Sequence, residues 1–318
     1  MSNRPAVLLM APLYEPIEQA LQAQFDCLRL PEPPARQAFL ASVADRVTAV
    51  ATHATVGIDR ATIEALPKLK VVSNFGVGID TTDLAACNEH GVTVCNTPDV
   101  LTEEVADMAL GLTLAAVRQI PQGDHYVRTG QWLRAAMPLT QSMQGRRVGI
   151  VGLGRIGRAI AIRCAAFNTE IGYYGPNRKD DVSYRYFDNV TELAQWSDIL
   201  IAACPGGPAT HRIVSAQALD ALGKDGVFVN IARGSVVDQE ALIARLANGS
   251  LASAGLDVFD NEPHVPQALI DMPHVVLQPH QGSASVATRM AMTELVVGNL
   301  VAWFNGEPLL TPVNPVKG

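Results

Sequence analysis

The sequence predicts an α/β protein of two domains, each built on a parallel sheet. Three observations carry this. Short aliphatic and β-branched runs alternate with helical patterns along almost the whole chain, the mark of βαβ units. That rhythm breaks at Asn96-Thr97-Pro98-Asp99, so there are two series and not one. The length of 318 residues suits about two domains at roughly 150 residues each.

In the first series, Val7–Met10 reads as a strand and Ile17–Gln24 as a helix. Val47–Ala51 and Val71–Ser73 are further strands, with a helix at Arg60–Leu66 between them, and Val92–Cys95 closes the set. Pro98 then pushes its neighbour away from helix. A long helix follows from Thr102 to Val117, with Glu103 and Glu104 in the first turn, where the helix dipole favours anions. A polar excursion fills about 120–144. The second series starts at Arg147, with strands at Val148–Val151, Ile171–Tyr174, Ile199–Ala202, Val227–Asn230, Ala254–Asp257 and Val275–Leu277. The last helix, Val286–Phe304, has no sheet left to join in that series. The reading is therefore that residues 1–98 and 285–318 form one domain and 99–284 the other.

Composition removes several classes of function. Lys and Arg number 24 against 31 Asp and Glu, a net charge of −7. An acidic chain suits neither nucleic acid nor a polybasic membrane contact. The apolar run near the start is broken by Pro12 and Glu15, which argues against a signal peptide. The most apolar helix, Met108–Val117, is too short to span a bilayer and reads as buried. Five cysteines, Cys27, Cys87, Cys95, Cys164 and Cys204, form no CxxC pair and are odd in number, which fits the cytoplasm. The histidines show no HExxH spacing, so no metal site is expected.

The chemistry begins at Val148-Gly149-Ile150-Val151-Gly152-Leu153-Gly154-Arg155-Ile156-Gly157. An apolar strand runs into Gly152-x-Gly154-x-x-Gly157, and a helix follows. This is a Rossmann dinucleotide fingerprint: a tight turn, a close approach for a pyrophosphate, and a close helix-to-strand contact. An acid for the ribose 2′-hydroxyl is usual about 20 residues further on. Here the chain reads Gly175-Pro176-Asn177-Arg178-Lys179. With no acid and two cations, Asn177, Arg178 and Lys179 suggest a 2′-phosphate pocket and hence NADP. Asp180 and Asp181 follow at once, and a shifted turn would bring one of them to the ribose.

Three more residues follow strand ends of the second series: Arg233, Glu262 and His280. Ligands of parallel sheets bind beyond the carboxyl ends of the strands. A guanidinium, a carboxylate and an imidazole are thus delivered to one rim.

Further stretches extend the pattern: Asn74-Phe75-Gly76-Val77-Gly78-Ile79-Asp80, Asn96-Thr97-Pro98, Thr102-Glu103-Glu104-Val105-Ala106-Asp107, Ala232-Arg233-Gly234, Gly255-Leu256-Asp257-Val258-Phe259 and Pro279-His280. With these in order, the chain resembles the D-isomer-specific 2-hydroxyacid dehydrogenase family over essentially its whole length. It is most similar to the NADPH-dependent glyoxylate/hydroxypyruvate reductases of that family. Through Val100-Leu101-Thr102-Glu103-Glu104 it is also similar to plant hydroxyphenylpyruvate reductases.

The resemblance implies a Rossmann domain and a flavodoxin-like substrate domain, with substrate in a cleft between them and a homodimer formed through an arm at about 120–144. It implies that Arg233 clamps a 2-oxo acid, that His280 donates a proton to the carbonyl oxygen, and that Glu262 orients His280. Backbone N–H groups at Val77, Gly78 and Ile79 would hold the substrate carboxylate. Asp257 would meet the nicotinamide amide, Arg155 and Ile156 the pyrophosphate, and Cys204 and Ile231 would line the cofactor groove. Gln281 departs from the apolar residue of many relatives, and Pro176 from the Arg of some NADP users. The loop Thr52-His53-Ala54-Thr55 is read as facing the substrate side group. A rival reading is a dinucleotide-sensing binding protein on the same fold.

Overall fold

A computed structural model describes residues 4–314 of the chain. The chain divides into two compact units, Met1–Leu101 with Ser285–Gly318, and Thr102–Ala284.

The first unit holds a five-stranded sheet: β1 (Ala6–Leu9), β2 (Asp26–Arg29), β3 (Ala49–His53), β4 (Val71–Phe75) and β5 (Thr93–Cys95). The strands pair in parallel in the order β2-β1-β3-β4-β5, the flavodoxin-like arrangement. Burial runs without alternation through β1, β4 and all of β3 but His53, as in a parallel sheet covered on both faces. The last helix, Val286–Asn305, packs in this unit: the Ser73 hydroxyl donates to the Val296 carbonyl at 3.1 Å, and Phe304 meets Phe25 with ring centroids 5.3 Å apart. Its ends follow from local chemistry. The Ser285 hydroxyl accepts the Thr288 N–H, and Gly306, at φ 71°, takes the left-handed turn that closes it.

The sequence pattern misses β2. Its four residues, Asp-Cys-Leu-Arg, lie at a sheet edge, where Asp26 pairs with Arg46 and Arg29 with Glu18. Charged ends are tolerated on an edge, and they erase the apolar run that marks a central strand.

The second unit holds seven parallel strands: β6 (Arg147–Val151), β7 (Glu170–Tyr174), β8 (Arg185–Phe187), β9 (Ile199–Ala202), β10 (Val227–Asn230), β11 (Ser253–Leu256) and β12 (Val275–Leu277). Their order is β12-β11-β10-β9-β6-β7-β8. The order reverses between β6 and β9, and that reversal is the crevice where open α/β sheets bind ligands. The short edge strand β8 is also absent from the sequence reading. The Arg185 guanidinium lies over the Phe187 ring, 4.8 Å from its centroid.

Helix Thr102–Arg118 packs on the fingerprint helix Arg155–Ala165. Arg163 ties the two together, to Asp107 at 2.5 Å and to Glu103 at 2.8 Å. The same helix presses on β11 at Gly255, where an added Cβ would stand 3.0 Å from the Leu112 Cβ. No helix among the described residues is long and apolar enough to cross a membrane.

Candidate active site

The three fingerprint glycines have three different reasons to be glycine. Gly152 turns the chain at φ 101°, and a Cβ there would lie 2.7 Å from the Cys204 Cα. Cys204, buried in the loop after β9, thus walls the turn. At Gly157 a Cβ would meet the Gly152 carbonyl oxygen at 2.0 Å, so the helix sits hard on the strand. A Cβ on Gly154 would meet nothing within 4 Å. Gly154 also opens helix Arg155–Ala165 with no side-chain cap. An open approach to an uncapped helix N-terminus, with the N–H groups of Ile156 and Gly157 in its first turn, is the cradle a pyrophosphate requires. The residues present therefore fit a dinucleotide.

Beyond β7, Asn177, Arg178 and Lys179 are exposed on the following loop. Of the two acids that a shifted turn would bring to the ribose, Asp180 and Asp181, the second is engaged elsewhere: Arg158 on the fingerprint helix holds its carboxylate at 2.8 Å. That pair keeps the Asp181 carboxyl below its ordinary range.

The loop after β10 is set by Asn230, which is fully buried. Its Oδ1 accepts the Ala232 N–H at 3.0 Å, and its Nδ2 donates to the Arg233 carbonyl at 2.8 Å. Ile231 and Ala232 are buried, and Arg233 leads into a short turn at Gly234–Val236. Gly234 allows a close approach here, because a Cβ would stand 2.0 Å from the Phe259 carbonyl carbon. The segment carrying Glu262 is therefore pressed against the segment carrying Arg233.

Glu262 uses both oxygens. Oε1 accepts the Phe259 N–H at 3.1 Å, and Oε2 lies 2.8 Å from His280 Nδ1. Burial raises the Glu262 carboxyl, but its bond to His280, the His280 charge, the Phe259 N–H and the nearby Arg233 charge outweigh that and hold it below the usual range. An ionised carboxylate only accepts, so the proton of a neutral His280 sits on Nδ1; in the imidazolium, Nε2 carries the second, transferable one.

His280 itself has φ 54°, a left-handed backbone that a side chain rarely adopts. Asp257, just past β11, holds it there. Its backbone carbonyl accepts the His280 N–H at 2.9 Å, while Oδ1 accepts Gln281 N–H at 2.7 Å and Oδ2 accepts Gly282 N–H at 2.8 Å. Burial pushes the Asp257 carboxyl up, and the two amides oppose that. The structure thus brings Arg233, Glu262, His280 and Asp257 together in the second unit.

In the first unit, the loop after β4 turns its carbonyls inward. Asn74 Nδ2 donates to the carbonyls of Gly76 and Gly78, at 3.2 and 2.8 Å, and Asn96 Nδ2 to that of Val77 at 2.9 Å. The Gly76 N–H goes to Thr97 Oγ1 at 3.1 Å. Among the described residues of this unit, the N–H groups of Val77, Gly78 and Ile79 have no backbone acceptor, as an anion-binding loop needs. Thr52–Thr55 is only partly a loop: Thr52 and His53 complete β3, with Thr52 fully buried and its hydroxyl donating to the Gly57 carbonyl at 2.8 Å, and Ala54 and Thr55 lie in the turn that follows.

Asn230, Asn74 and Arg158 escaped the sequence reading. The available signal was a polar residue at the end of an apolar run: Asn230 closes β10, and Asn74 is the last residue but one of β4.

Residues 110–282 match the family model for the NAD binding domain of D-isomer specific 2-hydroxyacid dehydrogenases. The chain is 49% identical over 307 residues to the hydroxyphenylpyruvate reductase of Plectranthus scutellarioides, covering 96% of this chain and 98% of that one. It is equally similar, with the same coverage, to a glyoxylate/hydroxypyruvate reductase of Arabidopsis thaliana. Among solved structures, the NADPH-dependent glyoxylate/hydroxypyruvate reductase from Sinorhizobium meliloti, in complex with NADP and malonate, superposes with a TM-score of 0.92 at 42% identity, covering 98% of each chain.

Asp257→Asn offers one oxygen to two amides and turns an NH₂ toward the other. Loss of a charge-assisted bond costs about 2 kcal/mol, and the melting temperature should fall by roughly 4–8 °C. An unchanged melting curve would show that the turn at His280 stands without the carboxylate.

Proposed function

The chain belongs to the D-isomer-specific 2-hydroxyacid dehydrogenase family, and from that premise we propose that it is an NADPH-dependent reductase of small 2-oxo acids. Glyoxylate and hydroxypyruvate are the proposed substrates, giving glycolate and D-glycerate. The observation that carries this is the 2.8 Å contact of His280 with an ionised Glu262, with the Arg233 charge beside them. It is a proton donor with its orienting anion and an oxo-acid clamp on one rim.

In this reading Arg233 holds the carboxylate and carbonyl oxygens of the substrate with its planar fork. The N–H groups of Val77, Gly78 and Ile79 are proposed as further carboxylate ligands. His280 Nε2 gives its proton to the carbonyl oxygen, and Glu262 offsets the imidazolium charge until that moment. Gly152, Gly154, Arg155, Ile156 and Gly157 hold the pyrophosphate, Cys204 and Ile231 line the groove, and Asn177, Arg178 and Lys179 meet the 2′-phosphate. Asp257 has its oxygens on the turn beneath His280, and each oxygen keeps a lone pair for the nicotinamide amide. Bound NADPH supplies the hydride.

We also place the enzyme in the cytoplasm, a reading supported by five free cysteines. A homodimer is supported by the arm. Helix Ile120–Arg128 buries no residue, and Trp132, Leu133 and Leu139 are 68%, 93% and 102% exposed. Apolar side chains so exposed in one segment mark an interaction surface.

Steady-state kinetics test the reading. With glyoxylate or hydroxypyruvate, kcat/KM for NADPH should exceed that for NADH by about tenfold or more, from two exposed charge contacts. Higher kcat/KM with phenylpyruvate or 4-hydroxyphenylpyruvate would move the substrate to the aromatic class, as in the Plectranthus relative. No turnover with any 2-oxo acid would favour a dinucleotide sensor.

His280→Gln should lower kcat by about 10²–10⁴-fold with NADPH affinity kept. Glu262→Gln should cost less. It should shift the alkaline limb of activity to lower pH, since the protonated imidazole loses its anion and deprotonates earlier as pH rises. A profile identical to wild type would leave Glu262 no part in the proton transfer.

Light scattering should give twice the 33.9 kDa chain mass. Trp132→Glu with Leu133→Glu should return the monomer. A native chain that is monomeric at micromolar concentration would remove the arm from any dimer.

A further inference from the structure

The segment that the NADPH reading assigns to the 2′-phosphate is more firmly held than its exposure suggests. Residues 176–181 are exposed. An exposed six-residue segment of this kind would ordinarily sample many backbone states and order its cations only on binding. Instead the loop is fastened along its length by three side chains from outside it. The Tyr186 hydroxyl, on β8, donates to the Gly175 carbonyl at 3.2 Å. The Tyr173 hydroxyl, on β7, accepts the Lys179 N–H at 2.7 Å. Arg158 holds Asp181 at 2.8 Å.

Tyr173 is the informative member. It is 1% exposed, between Gly172 and Tyr174 in β7, and its ring lies 5.4 Å from that of Tyr186. A fully buried tyrosine needs a partner for its oxygen, whereas phenylalanine would fill the same space without one. The partner here is the backbone of Lys179, one of the two cations proposed for the phosphate. The bond reaches from a rigid β-strand to the middle of the loop.

We infer that Tyr173 is a positioning residue for cofactor discrimination: its hydroxyl fixes the backbone at Lys179, so that Asn177, Arg178 and Lys179 stand ready for a 2′-phosphate. The inference rests on the NADPH reading. Tyr173 acts through the loop and touches no cofactor atom. Arg158 completes the device from the other end by withdrawing Asp181, a carboxylate that would repel the phosphate and favour a free 2′-hydroxyl.

The test separates the two claims by binding and needs no turnover. Titration calorimetry is run on the full chain with adenosine 2′,5′-bisphosphate and with 5′-AMP, which differ by the 2′-phosphate alone. The native chain should bind the bisphosphate at least about tenfold more tightly. In Tyr173→Phe, which keeps the ring and its stacking, that ratio should fall about fivefold, the effect of one hydrogen bond, while 5′-AMP affinity stays unchanged. Unchanged 5′-AMP binding also shows that the variant is folded. Native discrimination that persists in full in Tyr173→Phe overturns the inference and leaves the NADPH reading intact. Equal weakening of both ligands overturns it too, because Tyr173 would then support the adenosine site as a whole. Equal binding of both ligands by the native chain overturns the NADPH reading, and the inference with it.

Discussion

Much of the site in the second unit depends on one buried carboxylate. Asp257 stands at the end of β11, almost fully covered, and a charge there is costly unless it is matched. It is matched by the chain itself: three consecutive N–H groups, of His280, Gln281 and Gly282, bond to its carbonyl and its two oxygens. Those bonds offset the strain of a left-handed backbone at His280. With the backbone fixed in that state, the imidazole meets Glu262 at 2.8 Å. The same bonds that bury a charge also aim the His280 imidazole.

Close approach of backbones does the remaining positioning. Where Gly234 lies against Phe259, a methyl group would already collide, so the Arg233 and Glu262 segments cannot be separated by an intervening side chain. Where Gly157 lies on Gly152, the fingerprint helix starts directly at the end of β6, at the point where the strand order reverses. Two charged groups and a dinucleotide cradle are thereby set on one sheet edge. Rigid strands hold them, and the loops only carry the side chains.

Charge is partitioned with similar economy. Two carboxylates have cations close by: Asp181 pairs with Arg158, and Glu262, hydrogen-bonded to His280, has the Arg233 charge nearby. In the first unit, asparagine side chains take the carbonyls of the loop after β4, and the N–H groups of Val77, Gly78 and Ile79 have no backbone acceptor among the described residues. Backbone amides of such a loop suit an anion through partial positive charge, without a lysine whose own hydration would have to be removed.

The sequence by itself determined the α/β class, the central strands, the glycine fingerprint and the lack of an acid after β7. These are local properties: periodicity, turn chemistry and residue type are written in adjacent positions. The same holds for Arg233, Glu262 and His280, which follow strand ends that the pattern marks. Tertiary structure decided the rest. β2 and β8 are strands because a neighbouring strand pairs with them, and their polar residues give no period to read. Thr52 belongs to β3 because its hydroxyl is satisfied by Gly57 in the buried interior. The duties of Asn230, Asp257, Tyr173 and Arg158 lie in which backbone or side chain each one meets. A hydrogen bond between residues 6 or 25 positions apart has no signature in either residue's neighbours. It exists only once the sheet has brought the strand ends together.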